Sequence, residues 1–223
     1  MKYKAIIFDM DGTIIDTEHV WKQATYDLIT SKGVELTPEL SKELDVLIRG
    51  IAVHRSCAII KDFLKIDHAV EDMIKEKIDR AQALLKEGMK FIDGFERFHD
   101  KVIKAQLPTG IATNADDQTL NKSTETMGLT KYFGEHIYNI THVNNKAKPD
   151  PDLYLHVAQR LGVKPEECIA IEDSAHGIRA AKRAGMFCIG INTAKNHEAL
   201  KEADIIIEHY DDIELDKLLN IDK

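Results

Sequence analysis

Five short apolar runs punctuate the chain: Lys4–Phe8 (KAIIF), Thr109–Thr113 (TGIAT), Cys168–Ile171 (CIAI), Phe187–Ile191 (FCIGI) and Asp204–Ile207 (DIII). None alternates strictly between apolar and polar positions, and each ends at polar or turn-forming residues. Such runs predict strands buried on both faces. Helix-like stretches fall between the later runs, at Leu153–Leu161 and Ile178–Ala184. Gly162 and Gly185 follow these stretches, where a helix end favours a residue of positive φ. Strands alternating with helices predict parallel βαβ units and an α/β fold.

Residues 17–87 carry a different pattern. Apolar residues recur three and four apart: Trp21, Ala24, Leu28; Leu44, Leu47, Ile48; Ala58, Ile59, Phe63; then Met73, Ile74, Ile78, Ala81, Leu84, Leu85. This spacing predicts amphipathic helices, punctuated by Gly33, Pro38, Gly50 and Gly88. The chain as a whole therefore predicts a Rossmann-like, doubly wound parallel-sheet core (1–16 and 88–223) with an inserted all-helical cap domain (17–87).

Composition narrows the function classes. The 223 residues carry 30 basic and 38 acidic side chains, a formal charge of −8. That balance argues against nucleic acid as the partner, which demands clustered Lys and Arg. No apolar run approaches the ~20 residues that span a bilayer, so no membrane partner is expected. The apolar stretch near the N-terminus is too short for a secretory signal, which needs about 7–15 apolar residues. The three cysteines, Cys57, Cys168 and Cys188, show no CxxC spacing. They read as buried thiols of a cytoplasmic protein rather than as disulfides, zinc ligands or nucleophiles. No long apolar surface stripe is visible, and a monomer is expected.

Four segments carry chemistry. In FDMDGT, Asp9 and Asp11 follow directly on a buried strand. Asp is a poor strand former, and Asp11-Gly12 also reads as a turn, but Asp9 continues straight from AIIF. In IEDSAHGIRAAKRAG, a strand again runs into acids, Glu172 and Asp173, although Asp173 or Ser174 could simply cap the next helix. Should the two strand ends be neighbours, their carboxylates would repel one another without a cation. An all-oxygen ligand set suits Mg2+. The third segment, Thr113–Ala115 (TNA), offers a hydroxyl and N–H groups at a strand end, as an anion site or as a loop opening. The fourth is KAKPDPDLY. Here Lys148 precedes two prolines and a helix starting near Pro151 or Asp152, either as a solvated lysine or as a cation for a bound phosphate.

In that order, these segments resemble the haloacid dehalogenase superfamily of aspartate-nucleophile phosphohydrolases, over essentially the whole chain. IDTE (Ile15–Glu18) and KPDPDLY are similar to the subgroup of β-phosphoglucomutase and sugar-phosphate phosphatases. The resemblance implies an Mg2+-dependent phosphomonoesterase that acts on a small phosphorylated metabolite, a sugar phosphate, through an aspartyl-phosphate. Asp9 would be the nucleophile and a metal ligand. Asp11 would be the acid–base group, its backbone carbonyl also on the metal. Thr113 and the N–H groups of Asn114 and Ala115 would hold the phosphoryl oxygens, and Lys148 would pair with Asp9 and the phosphate. Asp173 would ligate the metal, with Glu172 acting directly or through a bound water. Ala115 stands where relatives often carry Ser.

Substrate choice is expected from the cap, with hinges near Asp16–Thr17 and Gly88. In mutase relatives an arginine grips the second phosphate; in GIAVHRS (Gly50–Ser56) the aligned position is Val53, with Arg49, His54 and Arg55 close by. Arg49 and His19 are candidate substrate contacts, and Trp21 reads as cap core. Two rival functions remain: a β-phosphoglucomutase, and a non-catalytic phosphoryl-binding module on the same fold.

Overall fold

The computed structural model describes residues 2–48, 51–85 and 88–219. The chain divides into two compact units, Met1–Asp16 with Lys90–Lys223, and Thr17–Met89. In the first unit, β1 (Ala5–Phe8), β2 (Thr109–Thr113), β3 (Ile137–Asn139), β4 (Cys168–Glu172), β5 (Phe187–Ile191) and β6 (Ile205–Ile207) form one sheet. All its strand pairs are parallel, in the order β3-β2-β1-β4-β5-β6.

The helices of the second unit are α1 (Glu18–Ser31), α2 (Pro38–Ile48), α3 (Val53–Leu64) and α4 (Val70–Leu85). Those of the first are α5 (Phe95–Lys104), α6 (Asp117–Met127), α7 (Thr130–Phe133), α8 (Asp152–Arg160), α9 (Ala175–Arg183), α10 (His197–Leu200) and α11 (Leu215–Leu219). Among the described residues, no helix is long and apolar enough to cross a membrane.

The strands are apolar throughout because both faces are covered. Ala5, Ile7, Ala112, Ala170 and Cys188 pack with Leu153, Tyr154 and Val157 of α8 and with Ile178 and Ala181 of α9. Phe8 instead meets Phe95 and Phe98 of α5 and Phe133 of α7, edge-on, at centroid distances of 5.8, 6.3 and 5.7 Å. Each such pair adds about 0.5–1.5 kcal/mol to the burial itself. This is a doubly wound sheet, whose order reverses beside β1 and β4. Phe8 lies level with Ile171. The residues that follow each of them therefore emerge together at the carboxyl edge.

Most predicted elements match. Gly162 and Gly185 have φ of 70° and 84°, and α8 starts at Asp152, just after Pro151. β4 extends one residue further than expected, to Glu172, and α9 starts three residues earlier than the apolar pattern, at Ala175. The early start follows from Ser174, whose Oγ accepts the Gly177 N–H at 3.1 Å and caps the helix. The edge strand β3 was not predicted: three residues are too few to show a period. All three cysteines are buried and free, and burial pushes the Cys168 thiol up to about 12, which removes it as a nucleophile.

In the helical unit, α4 packs against α1 and α3. Leu28, Ile29, Leu44, Cys57, Ile60, Ile66 and Met73 form its main core; Val20, Ala24, Ala81 and Leu85 form a second, with Trp21 packed against it. The apolar spacing misplaces α3. Its buried positions are Ser56, Cys57 and Ile60, whereas Phe63 is exposed. Part of the difference is polar: Ser56 faces the buried stripe Met73, Lys77, Ala81, Leu85 of α4, which contains a lysine.

Lys77 is 4% exposed and donates to Ser56 Oγ at 3.2 Å. Burial pushes its ammonium down to about 8. Its charged form therefore costs about 3 kcal/mol of stability below that pH, a cost that fades toward pH 10.5 as the unfolded lysine also loses its proton. Lys77→Met is expected to raise the denaturant midpoint at pH 7 and to flatten its rise between pH 8 and 10. Fluorescence of Trp21, the single tryptophan, reports on this unit directly. An unchanged or lowered midpoint at pH 7 would refute the assignment.

Candidate active site

Asp9 and Asp173 leave the adjacent strands β1 and β4 at their carboxyl ends, and the Asp9 N–H donates to Ile171 O at 2.9 Å. One carboxylate oxygen from each of Asp9, Glu172 and Asp173 lies within 4.8 Å of the other two. This is the single cluster of acids, His or Cys of metal-ligand geometry found among the described residues. The turn after Asp9 makes the approach possible. Gly12 has φ of 79°, and a Cβ there would lie 2.3 Å from Asp173 Oδ2. That turn is pinned from elsewhere in the fold: Thr193 Oγ1 donates to Gly12 O at 2.8 Å, and the buried Tyr210 hydroxyl donates to Thr13 O at 3.0 Å. Neither contact was visible in the sequence, since both cross more than 180 residues of chain.

Lys148 reaches the same point from the loop before α8 and is 3% exposed. Its Nζ donates to Asp9 Oδ1 and to Glu172 Oε1, each at 2.5 Å. Burial opposes its charge, but the two carboxylates outweigh burial and hold the ammonium above its usual range. Burial, then the charge of Glu172, raises Asp9 to about 7, while Lys148 pulls the other way and Asp11 adds a smaller push upward. Two carboxylates thus share one lysine, and Asp173 and the half-buried Asp11 add negative charge beside them. An all-oxygen, strongly negative cluster without His or Cys fits Mg2+, and Asp9, Glu172 and Asp173 are the residues whose carboxylate oxygens converge to hold it.

Glu172 was expected on the metal, directly or through water. It belongs to the oxygen cluster, and its carboxylate also has partners within the protein. Oε1 accepts from Lys148 Nζ and, at 2.7 Å, from the Tyr154 hydroxyl; Oε2 accepts from Ser174 Oγ at 3.2 Å. It sits against the first turn of α9, where a Cβ on Gly177 would fall 1.9 Å from its carboxyl carbon. Gly→Ala inside a helix normally gains up to ~1 kcal/mol. Gly177→Ala is expected instead to lose about 1–3 kcal/mol by overpacking and to cut kcat at least tenfold by displacing Glu172 from Lys148. Thermal denaturation and steady-state kinetics check both, and a more stable, fully active variant would contradict this packing.

Thr113 ends β2 and is buried, its Oγ1 accepting the Ala115 N–H at 3.1 Å. Asn114 does something its sequence position did not suggest: its Oδ1 accepts the Lys148 backbone N–H at 2.9 Å, tying this loop to the lysine loop. His19 is exposed in the first turn of α1, in the helical unit, apart in the chain's division from the acidic cluster. His54 and Arg55 are exposed on α3, and Arg49 lies outside the described residues.

Comparison with known proteins places this geometry. A family model described as haloacid dehalogenase-like hydrolase matches residues 6–191. The chain is 29% identical to a phosphorylated carbohydrates phosphatase of Thermotoga maritima, over 91% of this chain and 92% of that protein. It is 27% identical to a validoxylamine A 7'-phosphate phosphatase of Streptomyces hygroscopicus, over 92% and 93%. A crystal structure of β-phosphoglucomutase from Clostridium difficile superposes with a TM-score of 0.83 at 25% identity, over 97% of this chain and 96% of that one.

Proposed function

This chain belongs to the haloacid dehalogenase-like hydrolases, and from that premise we propose that it is an Mg2+-dependent phosphomonoesterase of a small phosphorylated sugar. The observation that carries the reading is the buried Asp9–Lys148 pair beside Asp173 at the carboxyl edge of the sheet. A relative named for phosphorylated carbohydrates supports the substrate class.

Asp9 attacks phosphorus through the oxygen not engaged by Lys148. A P–O bond to the carboxylate forms as the ester P–O bond breaks. Asp11 gives a proton to the leaving oxygen, then takes one from the water that releases phosphate. Lys148 offsets charge on the phosphoryl oxygens, and the Thr113 hydroxyl with the Asn114 and Ala115 N–H groups orients them. The Ala115 N–H leaves its present bond to Thr113 Oγ1 to do so. Asp9, Asp173 and the Asp11 carbonyl would hold Mg2+, which would supply the charge neutralisation that an anion attacking an anion needs. Glu172 serves by holding Lys148.

The mutase reading is weaker. It needs a cation on the second phosphate, but the aligned Val53 is half-buried against the apolar core of the helical unit. The test is phosphate release from a panel of phosphorylated sugars and a chromogenic aryl phosphate, with and without EDTA. The expected result is metal-dependent release with the highest kcat/KM on a sugar phosphate. Isomerised sugar phosphate without free phosphate would favour the mutase; no turnover on any phosphoester would favour the non-catalytic binding module.

A further inference from the structure

We propose that Tyr154 is a positioning residue for this chemistry: its hydroxyl fixes the Glu172 carboxylate where that carboxylate holds the Lys148 ammonium against Asp9. The inference rests on the hydrolase reading for its kinetic consequence, but not for its geometry. Tyr154 lies on α8 with its side chain fully buried among Leu153, Val157 and the strand residues. A phenylalanine would fill that space equally well, so the hydroxyl calls for a reason of its own. Its partner is Glu172 Oε1, at 2.7 Å. Burial, with the charge of Glu172, keeps the phenol well above its usual range, so it remains a donor at every working pH.

The same Oε1 accepts Lys148 Nζ, and the same ammonium reaches Asp9 Oδ1. The Tyr154 ring also lies under that ammonium, 5.0 Å from its centroid. One buried side chain thus touches both members of the ion pair, through its hydroxyl and its ring face. The remaining restraint on Glu172, the Ser174 hydroxyl, is longer at 3.2 Å and acts on the other oxygen. A lysine is a point charge on a flexible stem, so its acceptors decide where the charge sits. Displacement by an ångström in such a site costs on the order of a hundredfold in rate.

Tyr154→Phe removes one oxygen and preserves the ring. A hydrogen bond to a charged group is the interaction lost, and the expected effect is a fall in kcat of about tenfold or more with KM unchanged within about twofold, because Tyr154 does not touch substrate. The second readout needs neither metal nor substrate. It is the 1H–15N signal of the Lys148 ammonium in the metal-free protein, assigned by its loss in Lys148→Met, and it is expected to shift in Tyr154→Phe. A Tyr154→Phe protein with parental kcat and an unmoved lysine signal overturns the proposal while the hydrolase reading stands. Loss of the cooperative thermal transition in that variant also overturns it, since Tyr154 would then be a packing residue first. A shifted lysine signal in a protein whose parent hydrolyses no phosphoester upholds the positioning geometry and removes the hydrolase reading alone.

Discussion

Asp9→Asn is expected to lower turnover by on the order of 10^4 or more, while the protein melts no earlier than its parent. Removing a covalent nucleophile eliminates the first step rather than slowing it, and other members of the site cannot replace it. Asparagine keeps the shape of the side chain and an oxygen for Lys148. It also removes a charge that the fold resists: burial and the neighbouring Glu172 already hold the Asp9 carboxyl up at about 7. The substitution therefore relieves repulsion in the metal-free protein, and the melting temperature stays level or rises. Steady-state kinetics beside a thermal melt separates the two effects. Retained turnover would remove Asp9 as nucleophile, and an early melt would contradict the electrostatic account.

Lys148→Met should damage both function and fold. The ammonium lies between two buried carboxylates, and its loss leaves an uncompensated buried charge, worth about 3–5 kcal/mol of stability. Turnover is expected to fall on the order of 10^3-fold, the scale of losing a charge that stabilises the transition state. The double variant Lys148→Met with Glu172→Gln discriminates these consequences. Neutralising Glu172 removes the orphaned charge, so stability should recover in large part while turnover stays low. Recovery of neither would mean that Lys148 acts chiefly through packing.

The sequence made the scaffold of the site legible because its signals are local. An apolar run passing straight into acids marks β1–Asp9 and β4–Glu172–Asp173, and sheet topology does the rest. Signals that depend on partners far along the chain were not legible. The three-residue β3 has no period to read. Lys77 hides in a helical stripe that only tertiary packing buries, and its partner Ser56 on α3 is a polar position that apolar spacing passes over. Thr193 and Tyr210, which pin the turn after Asp9, resemble ordinary loop and core residues in sequence. The contacts of Glu172 needed the coordinates for the same reason: its partners Lys148 and Tyr154 lie 24 and 18 residues away.

The central claim is that Asp9 carries the phosphoryl group between substrate and water. The most direct measurement uses Asp11→Asn with an aryl phosphate. A phenolate leaves without a proton, so the first step survives, whereas the second step lacks its base. A phosphorylated, base-labile protein is expected to accumulate, with one phosphoryl group mapped by mass spectrometry to Asp9. A phosphoryl group on any other residue, or metal-dependent hydrolysis with the protein never labelled, would contradict it.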